Sequence, residues 1–394
     1  MKTGFLLVSI VLLTVAVAVA DTWEHTFGSD LPEQAFFSLA LEDGGFLICG
    51  IFVIDVSYSI VSSESAGGVD CMLFRIDDNQ EILWEADYFS GPWPDLAVAG
   101  VETGDGCYVL AGITTTMEEG QQNWLFKVDD TGQIIWERSL GTDYDDWTYD
   151  MMETGDDGFV LAGYVDFVDG TGRAVSLLKT DTQGYELWNR QYTAAGSGTA
   201  EALLETAGGD LLITGYLQKE GERNVVPFLL RTDSGGNEIW MKTISGQHGN
   251  CYALDMTMKD NGNIILAGYA VSSAGDYDFW IAEMTSDGEL VRQSVFGGKG
   301  DDMAFTAAPC PEGCVVAGFT ASEGAGRDDI WILCIDDSGE EVWSVTHGGP
   351  GNECAEHIIP AAGSGFIVSG YTSSWGAGDT DIWILKVNEE GQLD

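Results

Sequence analysis

The residues best suited to chemistry in this chain are aspartates grouped on glycine-rich segments: Asp143, Asp145 and Asp146; Asp276 and Asp278; Asp301 and Asp302; Asp328 and Asp329; Asp379 and Asp381. They lie in stretches such as GGKGDD, SSAGDYD, GAGRDD and WGAGDTD. Clustered carboxylates on bendable loops suit Ca2+, a hard cation that takes roughly six to eight oxygens. None shows the spaced Asp-x-Asp-x-Asp-Gly pattern with a later Glu, so turn formation, strand capping and solvation stand beside cation binding as the second reading. Six aromatic residues fall outside the repeating pattern described below and are the candidate ligand contacts: Tyr58, Trp93, Tyr144, Trp147, Tyr277 and Trp375. Their flat faces, with polar neighbours, suit stacking on a sugar.

Signals for catalysis are poor. The four histidines, His25, His248, His347 and His357, have no metal-ligand spacing with cysteine or with one another, and no Gly-x-Ser-x-Gly elbow is present. Carboxylates are so abundant that an acid pair of glycosidase type arises by chance, so no catalytic residue is assigned. Of eight cysteines, Cys310 and Cys314 flank the short turn Pro311-Glu312-Gly313 and are expected to face each other across a hairpin at bonding distance. Cys49 and Cys71 occupy neighbouring strands of the first repeat and are a second candidate pair. Cys251 and Cys354 hold one repeat position two repeats apart and are not expected to bond, and Cys107 and Cys334 have no assigned partner.

The elements that must carry these residues come from an internal repeat of roughly 52 residues. A glycine follows a short apolar run seven times, as FLICG, CYVLAG, GFVLAG, LLITG, IILAG, CVVAG and FIVSG, ending at Gly50, Gly112, Gly163, Gly215, Gly268, Gly318 and Gly370. A tryptophan forms the second anchor, at Trp84, Trp136, Trp188, Trp240 and Trp343, with Arg292 in the same series. Glycines at 132, 184, 236, 288, 339 and 391, with Gln80 in the same place once, close a turn just before the Trp position, usually opened by Asp or Asn as an Asx turn, at Asp77, Asp129, Asp181, Asp233, Asp336 and Asn388. Each repeat offers four short runs rich in β-branched and aromatic residues, bounded by Gly and Asp turns, which predicts four antiparallel strands. Aromatics at Trp124, Phe228, Trp280, Trp331 and Trp383 keep a fixed place in one strand and read as packing between repeats.

Seven four-stranded units predict an all-β, seven-bladed β-propeller. The last repeat stops at GQLD, before its Trp strand, and DTWEHTFG near the other end supplies the missing strand through Trp23 and Phe27. The ring is therefore expected to close by the N-terminal strand, which removes open sheet edges.

The Gly-x-x-x-Trp step resembles the tryptophan-docking motif of the quinoprotein propellers, although here the Asp lies seven residues before the Trp rather than eight, as in Asp129 and Trp136. The whole repeat, FGG…DD…DGGF…G-[YF]-T…D-x-W…D-x-x-G-x-x-x-W, is similar to a broad group of secreted prokaryotic propeller repeats. The resemblance implies that the Trp run is the outermost strand and the DDWTYDM run the innermost. It also implies that the outer-to-inner link and the link after the anchor Gly share one face. The aspartate groups fall on that face. So does the one sizeable insertion, IDVSYSIVSSESAGG in the first repeat, a second place for binding.

Residues 1–20 read as a signal peptide, with an apolar stretch from Phe5 to Ala20 behind Lys2 and a small-x-small end at Ala18-Val19-Ala20. Residues 21–394 then form the propeller, secreted or periplasmic and without membrane insertion after cleavage. With 64 acidic against 16 basic residues the net charge is −48, which disfavours nucleic acid and anionic membrane as partners. Such acidity fits a saline habitat, colloidal solubility or retention of divalent cations. The expected function is a monomeric, non-enzymatic binding module presenting an acidic face to an extracellular protein, a carbohydrate or Ca2+. The alternatives are an exported polysaccharide hydrolase or lyase and a structural component of a surface layer or matrix.

Overall fold

In the computed structural model, residues 22–393 are described, apart from 30–31, 54–68, 78–80, 89–93, 117–119, 168–171, 194–195, 247–248 and 362. They form seven antiparallel sheets of four strands each. The inner strands are Glu33–Ala40, Leu96–Glu102, Asp146–Glu153, Ser197–Glu205, Cys251–Met258, Asp302–Cys310 and Glu353–Pro360, and they define blades 1 to 7. Two middle strands follow in each blade, such as Phe159–Asp166 and Arg173–Thr180, buried almost without interruption because neighbouring blades cover both faces. The outer strands, such as Ile134–Leu140, alternate exposed and half-buried residues because only one face is covered.

Blade 7 takes its outer strand from the other end of the chain. Trp23–Phe27 pairs with Asp381–Val387, and Trp23 lies opposite Lys386 just as Trp136 lies opposite Lys127 and Trp188 opposite Lys179. Trp23 thus fills the place that the seventh Trp would hold, and the ring closes with four strands in every blade.

Two glycine positions explain the repeat. The anchor glycine sits in the second strand beneath a carbonyl of the inner strand, and a Cβ there would lie 1.7 Å from Trp147 O at Gly163 and 1.8 Å from Leu96 O at Gly112. The turn glycine has φ between 72 and 80° at residues 132, 184, 236, 288, 339 and 391, and a Cβ on it would meet the Trp of the preceding blade, at 2.9 Å for Gly132 against Trp84 and 2.6 Å for Gly391 against Trp343, or, at Gly339, the Arg292 that stands in the Trp position, at 2.9 Å. This is the blade-to-blade docking that the Gly-x-x-x-Trp spacing anticipates. A hydroxyl or ring N–H from the same outer strand often caps the glycine carbonyl, as with Tyr88 and Tyr192, each donating at 2.6 Å to Gly132 O and Gly236 O. Asp129 Oδ1 accepts from Thr131 and Gln133 N–H, both at 2.9 Å, as the Asx reading requires. Trp124, Phe228, Trp280, Trp331 and Trp383 are all buried between blades.

Candidate functional site

The aspartate groups lie where the repeat places them, on the loops that lead into inner and third strands, and hydrogen bonds within the fold occupy many of their oxygens. Asp145 Oδ1 accepts from Gln121 N–H at 2.9 Å and Asp301 Oδ1 from Tyr277 N–H at 3.0 Å, clamping the third strand of the preceding blade. Ser197 Oγ and Asn250 Oδ1 make the same contact at the equivalent places, to Arg173 and Val225 N–H. A hydroxyl and an amide do the work of the carboxylate, so the position does not require charge. Asp146 accepts from Thr142 N–H and hydroxyl at 2.7 and 2.8 Å, and Asp302 from Gly298 N–H at 2.8 Å and the Ser322 hydroxyl at 2.7 Å. Asp329 accepts from Gly326 N–H at 2.9 Å, and Asp381 from Ala377 N–H at 3.0 Å. Asp276 is held by Ser272 and by Gly300 N–H, while Asp328 forms a backbone bridge to Asn352. Asp143 and Asp379 are exposed. Asp278 has a buried Oδ1 with no hydrogen-bond partner, and burial, with Asp276 and Asp302 nearby, pushes its carboxyl up to about 6.

A different cluster emerges at the centre of the ring, around a channel of about 430 Å³ lined by the inner strands of all seven blades. Every inner strand carries a β-bulge at the same register, just beyond the residue opposite the anchor glycine. The extra residue of each bulge, Phe36, Val98, Tyr149, Glu201, Leu254, Phe305 or Glu356, lines the channel. A bulge re-aims a side chain that regular pleating would send elsewhere.

The next residue in each strand turns toward the neighbouring blade. Asp150 Oδ2 accepts from Leu203 N–H at 2.8 Å, Asp255 Oδ2 from Ala307 N–H at 2.7 Å, Thr306 Oγ1 from Ile358 N–H at 3.2 Å, and His357 Nδ1 from Ser38 N–H at 3.3 Å. These latches tie inner strands together, and the His357 latch spans the closing junction. Burial pushes Asp150 up to about 7 and Asp255 up to about 6 against the pull of the accepted N–H bonds, and it lowers His357 to about 4, consistent with Nδ1 accepting.

Glu201 and Glu356 hold no such latch. Glu201 Oε1 is buried without a hydrogen-bond partner. Burial pushes Glu201 up to about 8, opposed by the Thr199 hydroxyl, Arg173 and the Tyr216 hydroxyl, and pushes Glu356 up to about 7, opposed by Cys354. Both side chains lie deep within the ring yet keep partial exposure to the channel, which tempers that push. The channel lining contains no lysine or arginine.

Blades 3 to 5 carry a field of aromatic rings, of which Tyr149, Tyr216 and Tyr269 lie near Glu201. Trp147 stacks on Tyr164 at 6.1 Å, and Tyr149 packs against both. Tyr216 meets Tyr252 edge-on at 4.9 Å, and Tyr252, Tyr269 and Tyr277 pack together at 4.8 to 6.4 Å. Tyr164 already carries a cation, the Arg173 guanidinium, 3.9 Å from its ring centre. Among the aromatics expected from sequence, Trp147 joins the ring cluster of blade 3 and Tyr277 that of blade 5. Tyr144 is exposed on a loop of blade 3, and Trp375 packs on Trp383 at the rim of blade 7. Tyr58, Trp93, His248 and the long first-repeat insertion lie outside the described residues. Sequence reading missed Tyr149, Tyr164, Glu201, Tyr216, Tyr252, Tyr269 and Glu356. One signal was present, because an aromatic follows the anchor glycine in GYV, GYL, GYA, GFT and GYT.

The thiols differ from expectation in one respect. Cys310 lies opposite Gly313 and Pro309 opposite Cys314, so pleating sends Cys310 and Cys314 to opposite faces. The thiol nearest Cys310 is Cys334, with Sγ atoms 3.5 Å apart, and Glu312 joins them in a group whose spacing would admit a metal ion. Cys334 stands where other blades place a basic residue: Lys127 and Lys179, in that register, pair with Asp105 and Asp156 on the inner hairpin turn, both at 2.6 Å. In blade 5 the charges are exchanged, with Glu283 in this register between Lys259 and Arg292. Cys49 and Cys71 are adjacent as expected, 3.8 Å apart.

No family model matches the chain, and no curated protein matches it. Among solved structures, the chain is similar to a protein of unknown function from Dyadobacter fermentans DSM 18053, at 12% identity and TM-score 0.52 over 93% of this chain and 98% of that one. It is also similar to the WD40 domain of Neurospora crassa Pan2, at 10% identity and TM-score 0.54 over 90% and 89%. A third likeness is to Sqt1 from Chaetomium thermophilum, at 11% identity and TM-score 0.50 over 88% and 83%. At these identities the likeness shows the fold alone.

Proposed function

We propose that this β-propeller is an exported, non-enzymatic binding module whose ligand site is the central channel together with the tyrosine cluster of blades 3 to 5 beside it. The observation that carries this reading is Glu201: a carboxyl set at a bulge, near Tyr149, Tyr216 and Tyr269, with Oε1 unpartnered. Asp150 and Asp255 each spend an oxygen on an inter-blade latch, whereas Glu201 makes none and keeps Oε1 unpartnered although the Thr199 and Tyr216 hydroxyls lie beside the carboxyl. Propellers host many activities, so the site and not the ring defines the function. The acidic loops add a long-range field that draws cations and cationic surfaces toward the channel.

Thermal shift of residues 21–394 against a panel of oligosaccharides and charged small molecules tests the reading. Hits are expected to stabilise the protein through mass action and to lose their effect in Tyr252→Ala. Hits that act equally on Tyr252→Ala would move the site elsewhere. Turnover of a polysaccharide that disappears in Glu201→Gln would replace binding by catalysis.

A further inference from the structure

We propose that Cys310, Glu312 and Cys334 of blade 6 form a binding site for Zn2+, separate from the central channel. The three side chains offer two sulfurs and a carboxylate oxygen that lie within 4.8 Å of one another. The repeat shows what they replace. Counted from the residue opposite the anchor glycine, Ala97, Thr148 and Ala304, the same step leads to Thr103, Thr154 and Cys310, and the inner hairpin turn then supplies Asp105, Asp156 and Glu312. On the third strand, Lys127, Lys179 and Cys334 share the register opposite the Trp anchor. In blade 2 the Thr103 hydroxyl and the Lys127 ammonium both donate to Asp105 at 2.6 Å, and in blade 3 Lys179 donates to Asp156 at 2.6 Å and to the Thr154 hydroxyl. Arg75 with Asp43 and Arg231 with Asp210 repeat the ion pair in blades 1 and 4. Blade 6 keeps the carboxyl, while thiols replace both the cation and the hydroxyl. Lys259, which shares a pocket of about 160 Å³ with Cys310, cannot supply the missing charge, because it is committed to Glu283 and Asp337.

Two thiolates and a carboxylate suit Zn2+ rather than Ca2+ or Mg2+, which take oxygen ligands. Sulfurs on a tetrahedral Zn2+, each about 2.3 Å from the ion, stand about 3.8 Å apart. Cys310 and Cys334 hold their sulfurs at 3.5 Å, close to that spacing and far from the roughly 2.05 Å of a disulfide. Cys49 and Cys71, 3.8 Å apart and buried, are joined by no third donor of this kind among the described residues. Cys310 is half-buried and Glu312 exposed, so an ion reaches the site from solvent and the fourth position is left to water. The ion would tie the inner hairpin turn to the third strand, the task that an ion pair performs in blades 1 to 4.

Titration of the reduced protein with Co2+, an optical stand-in for Zn2+, decides the matter. A thiolate-to-Co2+ charge-transfer band is expected to saturate at a single ion per chain and to bleach when Zn2+ is added. Cys334→Ser should abolish the band, Cys71→Ser should leave it unchanged, and Glu312→Gln should weaken Zn2+ at least about tenfold. The double variant Cys310→Thr with Cys334→Lys rebuilds the hydroxyl, carboxylate and ammonium of blades 2 and 3, so it should keep the melting transition and show no band. Zn2+ should raise the melting temperature of the parent and not of this variant. A band that survives Cys334→Ser, or that disappears in Cys71→Ser, would overturn the assignment to blade 6. Absence of a band at about 1 mM Co2+ would overturn the metal site itself. Should the unreduced protein then prove to carry a Cys310–Cys334 bond in peptide maps, a disulfide would stand in its place.

Discussion

At the scale of single residues, close approach rather than charge or flexibility explains what the repeat preserves. The anchor glycine has ordinary extended backbone, and its need is steric: the bulged inner strand lowers a carbonyl into the volume that any Cβ would occupy. Gly163→Ala is expected to destabilise the protein by about 3 kcal/mol in urea denaturation, the upper part of the range for overpacking, since backbone and not a movable side chain is struck. A loss below about 1 kcal/mol would show that the inner strand yields. The thiols follow the same logic of register. One residue of pleat decides that Cys310 looks toward Cys334 rather than Cys314, which spacing around a turn does not reveal.

At the scale of elements, the seven inner strands share a bulge, four of them follow it with an inter-blade latch, and the residues on it vary. Asp150, Glu201, Asp255 and Glu356 all have carboxyls raised chiefly by burial, so the folded state retains protons that the unfolded chain loses near pH 4 to 4.5. The stability tied to those protons is present at low pH and is lost as pH rises through the folded values of about 6 to 8. His357 acts in the opposite sense, because its lowered value costs stability only as pH falls below about 6.5. Between about pH 6.5 and 8.5 the carboxyl effect therefore stands alone among these groups. Urea midpoints should fall across that window, and Glu201→Gln should flatten the fall. An unchanged slope in the variant would mean that Glu201 is ionised throughout.

At the scale of the whole molecule, the dominant facts are closure and charge. Trp23–Phe27 completes blade 7, so every sheet has four strands and the ring leaves no unpaired seam. A net charge of −48 on such a ring repels itself, and screening by any salt should stabilise it. Most oxygens of the paired aspartates are committed to loop N–H and hydroxyl groups, and Ser197 and Asn250 replace the acid at equivalent clamps. Millimolar Ca2+ is accordingly expected to raise the melting temperature no more than NaCl of equal ionic strength, within about 2 °C. A larger rise with Ca2+ would assign a cation to these loops, with Asp278 and its unpartnered Oδ1 as the first place to examine.

The sequence by itself determined the number of blades, the four strands in each, the docking of turn glycine on tryptophan and the closure through Trp23. All of these are periodic, and a signal repeated seven times stands out from a single chain without any contact being known. Only the tertiary structure decided where the candidate site lies. Glu201 and Glu356 reach the channel because a bulge adds one residue to each inner strand, and the tyrosines after Gly163, Gly215 and Gly268 meet because blades 3 to 5 are neighbours around an axis. The departures from the repeat carry that information, and a departure gains meaning only from what the ring places beside it. The paired aspartates were conspicuous in sequence for the converse reason, since loops that recur in every blade need the same hydrogen bonds each time.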